Sequence, residues 1–230
     1  MSKSQSQTIM PPEGCQAALF FLDGQYLFTY DGDGAVHSKF VSPAAVRQAF
    51  AGEPVDSGWL PEGVIRWGSG SRGTWMVRYH APAVYRVIIE GERSFRVPMP
   101  PLIWFGQKTH YYIWAVKGKS FDPKAQLYRA PLPNVNLNGL ICFGKNAHPD
   151  VAKGGFDKTW RTFWEAPFNG DHANTKSHAH KKDVREQLRA VAKSKEKTYP
   201  STDLVRMGHT VESAIEMHTR RDDGYDDDDE

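Results

Sequence analysis

Pro133-Asn134 stands eight residues before Cys142 in the segment LPNVNLNGLICFG. A thiolate attacks acyl carbon readily, and the attack creates an oxyanion that needs a hydrogen-bond donor. The side-chain amide of Asn134 is such a donor. Asn138-Gly139 lies between the two residues and is a turn dipeptide that can fold the segment back on itself. Cys142 follows Leu140-Ile141, which would present the thiol at the lip of an apolar element, partly shielded. The rival reading is packing, because a free cysteine is among the most buried residue types. On spacing alone both readings of Cys142 stay open. A second group of chemistry-bearing residues is Asp171, His172, His178 and His180 in DHANTKSHAH, which offers N and O ligands for a metal ion. The segment lacks ligand-fixing structure, so solvated histidines are the simpler reading.

The elements that must hold Asn134 and Cys142 read as mostly β. Two runs of Asp-Gly type separate short apolar stretches near the start and predict strands at 16–22, 25–30 and 35–41. Ser42-Pro43 predicts a helix over 44–50, with Ser42 as N-cap and Pro43 at the first position. Gly52 and Pro54 end it, and 53–73 reads as loop around Val64-Ile65-Arg66-Trp67. TWMVRYH (74–80), YRVIIEG (85–91), SFRVP (94–98), PLIWFG (101–106) and HYYIWAVKG (110–118) are rich in β-branched and aromatic residues. Their short connections predict an antiparallel meander. Residues 119–140 read as loop, with prolines at 123, 131 and 133. Phe156, Trp160, Phe163 and Trp164 recur at helical spacing, as do Val184, Leu188 and Val191 in a basic helix over 180–197. A last short helix covers 210–218. The order is α+β, and Trp104, Trp114, Trp160 and Trp164 read as core.

Composition narrows the function classes. The 230 residues are 40% hydrophobic and 24% charged, which is ordinary globular usage and excludes a fully disordered or collagen-like chain. No run approaches the roughly 18 apolar residues of a membrane span, and the first 14 residues carry no apolar signal core. Two cysteines, Cys15 and Cys142, exclude a disulfide scaffold and a four-cysteine zinc site, and point to a reducing, cytoplasmic setting. The net charge of +2 hides seven acids in the last nine residues; the rest of the chain has 20 acids against 29 bases. From His172 to Thr198 there are eight Lys and Arg and three acids. That segment admits nucleic-acid contact, or simply a solvated helix face. It carries no aromatic residue for base stacking before Tyr199.

PNVNLNGLIC resembles the active-site segment of ubiquitin-conjugating enzymes, in which His-Pro-Asn precedes the thioester cysteine by this interval. Val97-Pro98-Met99-Pro100-Pro101 resembles that family's Pro-x-x-Pro-Pro element. Trp160 and Ala166-Pro167-Phe168-Asn169-Gly170-Asp171-His172-Ala173-Asn174 resemble its post-cysteine Trp and its gate loop. SPAAVRQAF, YIWAVKG, LYRAPLPNV and APFNGDHAN are similar to the B-protein family of the bacterial PRTRC cassette, a divergent prokaryotic branch of the superfamily, over about residues 15–175.

The resemblance implies an α+β fold of the ubiquitin-conjugating type, with an antiparallel meander, flanking helices and an added N-terminal β region. It implies four parts: a flexible segment 1–14, the domain 15–175, a basic helical extension 176–219 and a disordered acidic tail 220–230. Cys142 would carry a ubiquitin-like modifier as a thioester. Asn134 would stabilise the oxyanion or hold its loop, Asp171 would orient an incoming lysine, and His172 would act as base. The implied partners are a ubiquitin-like protein and a ThiF-type activating enzyme, with no cofactor and no metal. Leu132 stands where the family's motif has His, so a loop-stabilising hydrogen bond would be missing. Phe143-Gly144 also departs from the usual residues after the cysteine. The alternatives are a module that binds the same partners without transfer, and a DNA-associated plasmid-maintenance factor.

Overall fold

Three runs rich in Phe, Tyr and Leu open the described chain as strands β1 (Ala17–Leu22), β2 (Gln25–Gly32) and β3 (Ala35–Val41). They form an antiparallel sheet in chain order, and the last pairs Leu22↔Gln25 and Gly32↔Ala35 leave two-residue connections, as the Asp-Gly signals predict. Phe28, Tyr30 and His37 stack along one face. Helix α1 (Pro43–Ala49) follows, and the Ser42 hydroxyl accepts the Ala45 N–H at 3.1 Å, the N-cap that the sequence predicts. The computed structural model describes residues 14–23, 25–32, 34–50, 57–70, 72–194 and 196–219. The expected frayed segment up to residue 13, the Gly52 and Pro54 helix stop and the acidic tail 220–230 lie outside the described residues. The chain divides into two compact units between Gly58 and Trp59.

The second unit is built on a six-stranded sheet. Its strands are β4 (Val64–Gly70), β5 (Gly73–His80), β8 (Leu102–Gln107), β9 (His110–Ala115), β10 (Gln126–Arg129) and β11 (Arg206–Thr210). The order is β11-β10-β9-β8-β5-β4 and every pair is antiparallel. β6 (Ala83–Val87) and β7 (Phe95–Met99) form a separate hairpin, so the predicted meander is interrupted and β5 pairs with β8. The strand expected over 85–91 ends at Val87. Beyond it, the Phe168 N–H donates to the Ile88 carbonyl at 2.8 Å and the Glu90 N–H to the Phe168 carbonyl at 2.9 Å. The 88–90 segment therefore clamps the start of the gate segment instead of extending the hairpin.

Both faces of the sheet are covered, which is why β8 and β9 read as unbroken apolar runs. On one face Leu102, Trp104, Tyr111 and Ile113 pack with α2 (Gly155–Glu165) through Phe156, Phe163 and Trp164, and with α3 (Val184–Lys193) through Leu188 and Val191. On the other, Val77, Ile103, Phe105, Trp114 and Leu127 pack with α4 (Val211–Thr219) through Val211, Ala214 and Ile215. Trp104 and Trp114 are fully buried, Trp164 nearly so, and Trp160 packs on the same core while stacking on His80 at 3.8 Å. The basic helix is shorter than 180–197. Asp183 caps it, accepting the Arg185 N–H at 2.9 Å, and the turn before it is held to the residue that follows the gate segment by the Thr175 N–H to Lys181 carbonyl bond of 2.7 Å. β10 lies where loop was expected, and β11 lies in a stretch to which the sequence reading assigns no element. Each is only four or five residues long, and their pairing shifts register. No helix among the described residues is long and apolar enough to cross a membrane.

Candidate active site

β10 pairs with β9 only through Ala115 and Trp114, which leaves the other half of that β9 edge unpaired by it. The segment 134–142 docks there as a tight hairpin. The Ile141 N–H donates to the Tyr111 carbonyl and the Ile113 N–H to the Gly139 carbonyl, both at 2.9 Å, and Val135 bridges Ile141. The turn closes through Gly139 N–H to Asn136 carbonyl at 2.9 Å and Leu140 N–H to the Asn138 side-chain oxygen at 3.0 Å. Gly139 has φ +97°, and a Cβ there would lie 2.0 Å from Trp114 Nε1, whose hydrogen goes to the Asn138 carbonyl at 2.8 Å. Only glycine satisfies both demands. The predicted turn therefore exists, and it sets Cys142 opposite Asn134: the Cys142 N–H donates to the Asn134 carbonyl at 2.8 Å.

Asn134 is the pivot. Its φ is +58°, a left-handed conformation that Asn tolerates better than most residues. Its N–H donates to the Asp171 carbonyl at 2.8 Å, and its side-chain oxygen accepts the Asn169 N–H at 3.0 Å. A backbone N–H can only donate, so the carboxamide oxygen is committed and the Nδ2 hydrogens point elsewhere. Asn169 then closes an Asx-type pair with Asp171: its Nδ2 donates to Asp171 Oδ2 at 2.9 Å, and its Oδ1 accepts the Asp171 N–H at 2.8 Å. Pro167 directly follows the α2 C-cap Ala166 and cannot continue the helix, so the chain turns into this gate segment.

Cys142, half-buried, shares a cleft of about 220 Å³ with Asn134, Asn169 and Asp171, with Phe143, Phe163 and Pro167 as apolar wall and Lys145 and Asn146 at the polar side. Cys142 and Asn134 thus line one cleft with Asn169 and Asp171 of the gate segment, which is hydrogen-bonded to Asn134. Residues 38–207 match the family model of Prokaryotic E2 family D. The chain belongs to that family. It is a ubiquitin-conjugating-like protein with the mixed α+β fold expected of one. No curated protein and no solved structure matches it.

Leu132 stands where a His was expected in this family D chain. Its backbone carbonyl accepts a hydrogen bond from Lys176 Nζ at 2.7 Å, and Lys176 Nζ also donates to the Val135 carbonyl. Lys176 is 0% exposed. Burial first, then the nearby Arg129 guanidinium, pulls its pKa from 10.5 down to about 7. The sequence carries no signal for this residue, which sits in a polar run beside His178 and His180. Asn169 was legible in principle, since Asn-x-Asp is an Asx-turn pattern, but the resemblance assigned it no role.

His172, expected to act as base, is not among the residues that line the Cys142 cleft; it has φ +53° and lines a separate recess with Asn174, Lys182 and Arg185. His180 lies beside Glu186 at 3.2 Å, and the His178 N–H donates to the Asp203 carbonyl at 3.1 Å. Among the described residues, no three His, Cys, Asp or Glu side chains converge on a metal-sized site. The basic helix α3 buries Val184, Gln187, Leu188 and Val191, and two of its arginines are engaged: Arg185 with Asp183 at 2.7 Å and Arg189 with Glu92 at 2.5 Å.

Proposed function

We propose that this protein carries a ubiquitin-like modifier as a thioester on Cys142 and passes it to an amine. The observation that carries the reading is the double tether of Asn134, whose carbonyl accepts the Cys142 N–H and whose Oδ1 accepts the Asn169 N–H. This commits the oxygen and leaves the Nδ2 donors for the charge that develops on an acyl group held by the neighbouring sulfur. In the first step the Cys142 thiolate attacks the carbonyl carbon of the modifier's C-terminal thioester on an activating enzyme; that enzyme's thiolate leaves and takes up a proton. In the second, an amine attacks the Cys142 thioester, loses a proton and forms an amide, and the Cys142 thiolate leaves. Asp171, with one carboxylate oxygen held by Asn169, orients the amine and takes its proton. His172 has no place in this scheme.

The reading extends to the partners of the PRTRC B-protein family, namely a ThiF-type activating enzyme and the ubiquitin-like protein of the same cassette, working in the cytoplasm. Incubation with that pair and ATP should give an adduct that a reducing agent releases and that Cys142→Ala abolishes. A charged activating enzyme with no adduct on this protein would refute the carrier role.

A further inference from the structure

Lys176 is fully enclosed and forms no ion pair among the described residues. An enclosed ammonium costs far more than an apolar side chain of the same size, so its placement calls for a gain elsewhere. Its two acceptors supply the answer. The Leu132 and Val135 carbonyls bracket Pro133-Asn134, so a single nitrogen fastens the backbone on both sides of the residue that must sit at φ +58°.

The lysine is itself braced. The preceding Thr175 carbonyl accepts Arg129 Nη1 at 2.8 Å. The following Ser177 donates its hydroxyl to Asp203 Oδ1 at 2.8 Å and bridges Leu204. Asp203 is buried and collects two further donors, the Ala179 N–H at 2.8 Å and the Tyr199 hydroxyl at 2.7 Å. A chain of buried polar contacts thus runs from Tyr199 and Asp203 through Ser177 and Lys176 to the loop of Asn134. The segment beyond the gate, 176–204, is in this way tied to the cleft although none of its residues lines it.

We propose that Lys176 is a positioning residue, braced by Asp203, that holds Asn134 where its carboxamide serves the Cys142 thioester. The proposal rests on the carrier reading of Cys142. An amine needs only two hydrogens to reach both carbonyls, so the tie persists whether or not the group is protonated.

Single-turnover kinetics on the full chain separate the two steps. In Lys176→Met, charging of Cys142 should change less than about twofold, while discharge to free lysine slows about tenfold or more at equal folded fraction. Adding Lys176→Met to Asn134→Ala should slow discharge no further, because both act through one carboxamide. Lys176→Gln, which restores an N–H donor, should recover part of the rate, and Asp203→Asn should slow discharge in the same sense. Equal loss in charging and discharge, or additive losses with Asn134→Ala, would overturn the proposal. Amide exchange at Asn134 and Cys142 reads the same tie without any partner. Faster exchange at both in Lys176→Met or Asp203→Asn supports the tie between Lys176 and the Asn134 loop, whereas a wild type that never charges would sink the carrier reading and leave that tie standing. Unchanged exchange in both variants overturns the positioning role.

Discussion

Replacing Lys176 with Met should abolish the rise in stability that the wild type shows between about pH 7.5 and 9.5. In the folded protein the group titrates near 7, whereas in the unfolded chain it titrates at its ordinary 10.5. Between those values the unfolded chain binds more protons, so stability increases with pH, by at most about 1.4 kcal/mol per pH unit. Over the two units of that window the gain comes to between about 2 and 3 kcal/mol. Other shifted groups act mainly elsewhere. His80 is pushed down to about 4 from 6.5, so its slope lies on the acid side; Tyr85 and Tyr111 are pushed up to about 12 from 10.0, so theirs lies on the alkaline side. Urea unfolding of the two proteins at several pH values measures the difference. The Met variant should be nearly flat, and less stable than the wild type at the alkaline end because two buried carbonyls lose their donor. Parallel pH slopes would show that Lys176 does not carry a depressed pKa, and the argument from its burial would fail.

Asn134→Ala should charge normally but discharge to an amine about a hundredfold more slowly, since one oxyanion donor is commonly worth that much; equal discharge rates would remove Asn134 from the mechanism. Gly139→Ala should lower stability by about 2 kcal/mol or more, because the new Cβ meets the Trp114 ring at a φ of +97°; a thermal scan showing no shift would contradict the packing described. His80→Phe should flatten the acid limb of the stability curve. Burial and the neighbouring Arg78 hold the imidazole neutral down to about 4, so below its ordinary 6.5 the unfolded chain takes up the proton first and stability falls with pH. Urea midpoints at mildly acidic pH check this, and an unchanged slope would refute it. Trp104→Ala should destabilise by about 3–5 kcal/mol, as full burial against Tyr111 and α2 requires, read from the same urea curves.

Asn134, Cys142 and the turn between them were legible because their geometry is local. An eight-residue interval with Asn-Gly near its middle folds into a hairpin wherever a strand edge receives it. The apolar spacing of α2 and α3 was legible for the same reason, as periodicity survives in one dimension. β10 and β11 were not, because strands this short draw their stability from the neighbour they pair with, and QLYR and RMGHT meet across 80 residues of chain. Adjacency in sequence does not fix direction either: Asp171 lines the Cys142 cleft, whereas His172, at φ +53°, lines a different recess.

By itself, the amino-acid order determined the β-rich organisation of the chain and the turn that brings Cys142 back beside Asn134. The tertiary structure alone decided which polar groups contact that loop. Asn169 becomes the tether of Asn134 only because Ile88 and Glu90 grip Phe168 next to it. Lys176 is enclosed, with the Leu132 and Val135 carbonyls as its acceptors, only once the chain on either side of Asn134 meets the segment that Asp203 holds through Ser177. Solvent exclusion is a property of many segments packed together, and a lysine in a polar run shows no trace of it until they meet.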